Sequence, residues 1–145
     1  MTNDEQYMKT ALQEAQKAFD KGEVPIGAVV VCNGTIVAKA HNLVETLHDA
    51  TAHAEMLALT TAMDSLGSKY LEDCELYVTV EPCMMCAGAL HWAHVKKIVY
   101  ATADEKKGYS VFTKKPFFSK KTTIIKGILQ EESQALMQQF FKKLR

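Results

Sequence analysis

Residues 75–86 read Glu75-Leu76-Tyr77-Val78-Thr79-Val80-Glu81-Pro82-Cys83-Met84-Met85-Cys86. The first half is rich in β-branched and aromatic residues and predicts a strand over 75–80. Proline then ends the run. A first helical turn tolerates proline, so a helix is expected to open at Pro82 and reach about His91. A strand feeding directly into a helix is the building unit of an α/β fold.

The flanking sequence extends this pattern. Residues 5–20 place Met8, Leu12, Ala15 and Phe19 at helical spacing, and Gly22 marks the stop. The apolar run over 26–32 reads as a buried strand, Asn33-Gly34 as a hairpin turn, and 35–41 as the returning strand. A helix is expected over 52–64, with Met56, Leu59 and Met63 on one side and Thr51 as candidate N-cap. Further on, 97–101 reads as a strand, 102–121 as a lysine-rich loop, 122–126 as a short strand and 130–143 as an amphipathic helix. The order α-β-β-α-β-α-β-β-α predicts a three-layer α/β/α domain with a mixed sheet. Its first pair is antiparallel and its later strands, joined by helices, parallel. With 145 residues and 48% hydrophobic content, one domain over 1–145 with one core is expected.

No stretch approaches the roughly 18–20 apolar residues of a membrane span. Residues 1–10 hold no apolar run, so no exported leader is expected and the cytoplasm is the expected location. There, Cys32, Cys74, Cys83 and Cys86 read as thiols or metal ligands rather than disulfides. The net charge of zero hides a balance of −8 over residues 1–95 and +8 over 96–145. That split suggests an anionic partner for the last third, unless Lys96, Lys97, Lys114, Lys115, Lys120 and Lys121 simply solvate a surface.

Two segments carry the chemistry: His53-Ala54-Glu55 and Pro82-Cys83-Met84-Met85-Cys86. Each falls where a helix is expected to begin. Cys83 and Cys86, three apart on one turn, point the same way, and the positive helix end favours the thiolates a metal needs. His53 adds a nitrogen. Three such ligands suit tetrahedral Zn²⁺ with one position open for water, which is the arrangement of a catalytic site. Glu55, two residues from His53, reads as the proton shuttle for that water. A structural site would want a fourth ligand, for which Cys32 or Cys74 would have to serve, and a redox C-x-x-C would leave the H-x-E unexplained. His41, His48, His91 and His94 read as surface or core residues. Met56, Met63, Met84 and Met85 read as core packing.

H-x-E followed by P-C-x-x-C is the signature of the zinc nucleobase deaminases. Val24-Pro25-Ile26-Gly27-Ala28-Val29-Val30, Ala40-His41-Asn42, Thr51-Ala52-His53-Ala54-Glu55-Met56 and residues 77–89 together resemble the bacterial tRNA-specific adenosine deaminases. Asp104 and Phe140-Phe141-Lys142-Lys143 are also similar to that family. The resemblance implies a cytidine-deaminase-like fold with a five-stranded sheet, a homodimer, and conversion of adenosine to inosine at the wobble position of tRNA. It implies Zn²⁺ on His53, Cys83 and Cys86, with Glu55 catalytic. It further implies that Asn42 contacts the purine, Ile26 and Val80 line the pocket, and the Ala54 N–H faces the base. Asp104 and Lys106 would lie against the anticodon stem-loop. Two stretches depart from the family pattern. Residues 109–121 lack its Asn-His pair, and His91-Trp92-Ala93-His94 replaces its Ile-His-Ser-Arg run. The loop still offers lysines for phosphates and Tyr109, Phe112, Phe117 and Phe118 for base stacking, of which at least two are expected to pack inward instead. A deaminase of free bases or nucleosides, such as guanine or cytosine, is the alternative. A non-catalytic zinc-stabilised RNA-binding module is a third reading.

Overall fold

The computed structural model describes residues 1–144. The apolar run after Pro25 forms β1 (Gly27–Cys32), buried along its whole length, and Asn33-Gly34 returns it as β2 (Thr35–His41). Both turn residues take positive φ, 52° and 77°, the backbone that an Asn-Gly hairpin favours. On its other side β1 pairs with β3 (Cys74–Val80), again antiparallel. β4 (Lys97–Thr102) and β5 (Thr123–Lys126) then add in parallel, giving the order β2-β1-β3-β4-β5. This is the expected five-stranded mixed sheet. The second antiparallel pairing was not expected: the helix after β2 carries the chain past β1, so β3 docks against the run of the first strand.

Side chains of β1 alternate between two cores, as strand geometry requires. Val29 and Val31 join Tyr77, Val99 and Ala101 beneath Met8 and Ala11 of α1 (Asn3–Asp20). Ala28 and Val30 join Leu76, Val78 and Ile98 on the opposite face. There they meet Ala58, Leu59 and Ala62 of α3 (Ala54–Leu66), and Leu90 and Ala93 of α4 (Met84–Ala93). The last helix, α6 (Gln130–Lys143), lies beside α1 through the Phe19–Phe140 pair, and its Ser133 hydroxyl donates to the Thr79 carbonyl at 2.5 Å. Helices therefore cover both faces of the sheet. α1 starts on a capping box, in which Thr2 and Glu5 exchange hydrogen bonds of 3.1 Å.

Helix α1 approaches β1 so closely at Gly27 that a Cβ there would overlap the Ala11 carbonyl and crowd the Ala15 backbone. Both obstacles are main chain and cannot rotate away. Gly27→Ala is expected to lower stability by about 3 kcal/mol through overpacking, read as a fall in thermal midpoint of about ten degrees or as insoluble protein. An unchanged midpoint would show that α1 can shift outward freely.

Several local expectations are corrected. Thr51 does not cap α3. Its amide and hydroxyl donate to Asp49 Oδ1, both at 2.8 Å, and His53 takes the N-cap position. Pro82 precedes the N-cap of α4, which is Cys83. Two four-residue helices, α2 (Val44–Leu47) and α5 (Tyr109–Phe112), are too short to show a period in sequence. Met84 and Met85 face outward rather than into the core. Tyr109, Phe117 and Phe118 pack edge to face against the core beside β5, whereas Phe112 is 63% exposed.

Cys32 and Cys74 form a disulfide, contrary to the expectation of free thiols. The β1–β3 register sets them directly opposite, with a Cα–Cα separation of 4.2 Å. That adjacency depends on a pairing between strands 42 residues apart, which spacing alone does not reveal. Neither sulfur is then available as a fourth metal ligand. Among the described residues no helix is long and apolar enough to cross a membrane.

Candidate active site

Strand register gathers the site at one edge of the sheet. Because β1 is antiparallel to both neighbours, its beginning lies beside the ends of β2 and β3, through the pairs Gly27↔His41 and Ala28↔Val78. Parallel pairing brings the end of β4 to the same edge, with Val80 opposite Thr102. The Asn42 N–H donates to the Ile26 carbonyl at 3.1 Å. Ile26, Asn42 and Val80 are thus neighbours at the edge from which α4 starts.

The loop from β2 to α3 is braced from within. Glu23 is buried, and its carboxylate accepts from the Glu45 N–H at 3.1 Å, the Thr46 N–H at 2.6 Å and the Thr46 hydroxyl at 2.6 Å. Burial alone would raise its pKa, but these hydrogen bonds outweigh burial and hold it below the usual carboxylate value. No spacing in the sequence marks Glu23; only its contacts show its role.

His53 and Cys83 are the N-caps of α3 and α4, with extended φ/ψ, and neither side chain makes a capping hydrogen bond. Both side chains turn toward each other instead. His53 Nδ1 lies 3.6 Å from Cys83 Sγ and 3.5 Å from Cys86 Sγ. The three donor atoms all lie within 4.8 Å of one another. Tetrahedral zinc, with Zn–S of about 2.3 Å and Zn–N of about 2.0 Å, would separate nitrogen and sulfur ligands by about 3.5 Å. The donor set and its spacing therefore fit a zinc ion, and His53, Cys83 and Cys86 are residues that could hold one. Cys86 is buried and Cys83 half-buried, and neither is in a disulfide.

The electrostatics of this pocket are those of crowded anion-forming groups. Hydrogen bonding from Cys86, aided by His53, brings the Cys83 thiol down to about 4, against the opposing effect of burial. The same bond from the other side, together with burial and the nearby Glu55, pushes Cys86 up. The hydrogen bond with Cys83 raises His53. Glu55 is 4% exposed, and its desolvation raises its carboxyl to about 7. A carboxylic acid whose protonation is balanced near neutrality can take up and release a proton at little cost.

Two of the residues expected to meet substrate also make local hydrogen bonds. The Ala54 N–H, assigned to the base by resemblance, donates to Asn42 Oδ1 at 2.8 Å. It is one of the unpaired donors at the start of α3, and Asn42 satisfies it from twelve residues upstream. Among the described residues no buried side-chain polar atom lacks a partner, so the Asn42 amide nitrogen, which donates to none of them, has solvent access. The amide nitrogen is thus the free donor of this pair. Asp104 Oδ1 accepts from the Lys106 and Lys107 amides at 3.1 and 3.0 Å, so Asp104 folds its own loop while Lys106 stays exposed.

Glu81 was not singled out by motif. It is 4% exposed, and its carboxylate accepts from the Asp104 N–H at 3.1 Å, the Ser110 N–H at 3.0 Å and the Ser110 hydroxyl at 2.6 Å. A charged residue between an apolar strand and the Cys-x-x-Cys helix was the signal available. Among the histidines, His41 bridges Glu14 and Lys21, each at 3.1 Å, and His94 stacks on Tyr70. Neither these nor the exposed His48 and His91 belong to the His53–Cys83–Cys86 group. Lys97 is paired with Asp4 at 2.9 Å, so it is not free for an anionic partner.

Residues 2–145 match the MafB19-like deaminase family. The chain is 48% identical to the tRNA-specific adenosine deaminase of Bacillus subtilis (strain 168), over 100% of this chain and 92% of that protein. It resembles a solved structure from work on A-to-I editing by tRNA:A34 deaminases at the wobble position, with a TM-score of 0.84, 36% identity, and coverage of 90% and 98%. It also resembles the guanine deaminase of Bacillus subtilis, at a TM-score of 0.69, 36% identity, and coverage of 86% and 83%. With its H-x-E and P-C-x-x-C halves brought together in space, the chain belongs to the MafB19-like deaminase family, among the tRNA-specific adenosine deaminases.

Proposed function

We propose that this chain is a zinc-dependent hydrolase that converts adenosine to inosine at the wobble position of a tRNA anticodon loop. The observation that carries the reading is a buried Glu55 beside a three-ligand His–Cys–Cys group with no fourth protein donor among the described residues. When bound there, zinc supplies Lewis-acid activation of a water at neutral pH. His53, Cys83 and Cys86 would hold the ion. Glu55 would accept a proton from the attacking water, deliver it to a ring nitrogen and later supply one to the departing ammonia. At C6 of the base the C–O bond forms and the C–N bond breaks. Asn42 would donate its amide to the purine, and Ile26 and Val80 would wall the pocket.

The partner is read as the anticodon stem-loop, with Lys106 and the exposed Lys114, Lys115, Lys120 and Lys121 available to phosphates. A homodimer is supported by an apolar strip outside the core. Trp92 is 74% exposed, Met85 lies on the same face of α4 two turns earlier, and Val111 and Phe112 are also exposed. The chain is read as one deaminase unit over residues 1–145, working in the cytoplasm.

A second reading, deamination of free bases, is favoured by the likeness to a guanine deaminase and by the altered 109–121 loop. One experiment separates the two. Zinc-loaded protein is incubated with a stem-loop carrying adenosine at the wobble position, and separately with guanine, cytosine, adenosine and cytidine. Inosine in the RNA is expected, with kcat/KM at least about a hundredfold above any free compound, since remote binding energy is used in positioning. Faster release of ammonia from a free base would replace the tRNA reading with the second one.

A further inference from the structure

Glu81 stands immediately before the Pro-Cys that opens the ligand-bearing helix, yet its carboxylate turns to another segment. All three of its side-chain hydrogen bonds come from the loop after β4: from the Asp104 N–H at 3.1 Å and from the Ser110 N–H and hydroxyl at 3.0 and 2.6 Å. No lysine or arginine pairs with it among the described residues. The main chain completes the attachment. The Glu81 N–H donates to the Thr102 carbonyl at 2.8 Å, the Tyr109 N–H donates to the Pro82 carbonyl at 2.9 Å, and Gly108 bridges to Cys83. Gly108 has an ordinary φ of −62°, so nothing in its backbone demands glycine. Space does, because a Cβ there would overlap the Glu81 carboxyl group.

The held segment presents the exposed Lys106 and Lys107 beside the site, with their amides fixed by Asp104. Nothing in this arrangement places Glu81 on the base or on the metal donors. Its effect is to fix how far the two lysines stand from Cys83. A flexible loop would have to lose conformational freedom on meeting a polynucleotide, whereas one already braced does not. We propose that Glu81 is a positioning residue for the nucleic-acid substrate: it locks the 104–110 loop onto the start of α4, so that the phosphates of a stem-loop meet lysines held at a fixed distance from the reacting base. This rests on the tRNA reading above.

The test compares zinc-loaded wild type with Glu81→Gln and Ser110→Ala. Glutamine keeps the shape but cannot accept at both oxygens. For the wobble-adenosine stem-loop, Glu81→Gln is expected to raise KM at least tenfold and leave kcat within threefold. Ser110→Ala should give a smaller rise, and zinc content should be unchanged in both. The Kd for the same RNA, measured by fluorescence anisotropy, should rise in parallel, and amide exchange at residues 104–110 should quicken. An unchanged KM and Kd would overturn the proposal. So would a fall in kcat accompanied by loss of zinc, since Glu81 would then merely support Cys83. Absence of inosine from wild type would instead defeat the tRNA reading. In that event the anisotropy arm still decides: RNA affinity equal in wild type and Glu81→Gln, or absent in both, ends the proposal.

Discussion

Glu55→Gln is expected to reduce turnover of the stem-loop by roughly a thousandfold or more while zinc content stays at the wild-type level. General acid–base catalysis contributes about 10²–10⁴ in rate, and here one carboxyl would serve both the water and the departing ammonia. Glutamine preserves volume, so the pocket need not collapse. The same substitution has a second signature, in the metal-free protein. Burial raises the Glu55 carboxyl from an ordinary 4.5 to about 7. An acid with a raised value binds its proton more tightly when folded. Its contribution to stability is complete below about pH 4.5 and is lost as pH climbs through about 7. Metal-free wild type should therefore lose about 3 kcal/mol relative to Glu55→Gln between about pH 4.5 and pH 8. Denaturant unfolding at the two pH values measures this. Full activity in Glu55→Gln would remove Glu55 from the proton transfers, whereas zinc and RNA binding without turnover in wild type would revive the non-catalytic module.

Cys83→Ala is expected to abolish metal binding and activity together. Only three side chains compose the donor group among the described residues, and two donors do not hold zinc firmly against a chelator. The ion would join the starts of α3 and α4, which are thirty residues apart in sequence but have donor atoms 3.5–3.6 Å apart. Occupancy would therefore stabilise wild type, by about 4 kcal/mol at a thousandfold excess over Kd. The thermal midpoint of chelator-treated wild type should rise on adding zinc, and that of Cys83→Ala should not respond. Metal analysis of purified protein gives the companion reading. Stoichiometric zinc in Cys83→Ala would mean that the ligand set is misassigned.

The features legible in sequence were those written in short-range patterns. The Asn33-Gly34 turn, the apolar run of β1 and the helix starts at His53 and Cys83 all depend on neighbours within a few residues, and each was placed to within a residue or two. Features set by strand pairing were not legible. The Cys32–Cys74 bond needs β3 to lie against β1 in one register, and nothing at either cysteine announces it. Met84 and Met85 are apolar in a mostly apolar helix, so composition could not say which side faces outward. Glu23 and Glu81 are buried carboxylates satisfied mostly by backbone amides, partners that carry no side-chain signature.

The hydrogen bond from the Ala54 N–H to Asn42 has a consequence for reading mutational data. In the proposed function one amide side chain would join two tasks, finishing the first turn of a helix and offering a donor toward the purine. A library scored only for soluble expression would already penalise position 42, and a library scored for editing would penalise it again. Epistasis with replacements in α3 should then emerge even where those replacements never touch RNA, because a sturdier helix would tolerate what a weaker one cannot.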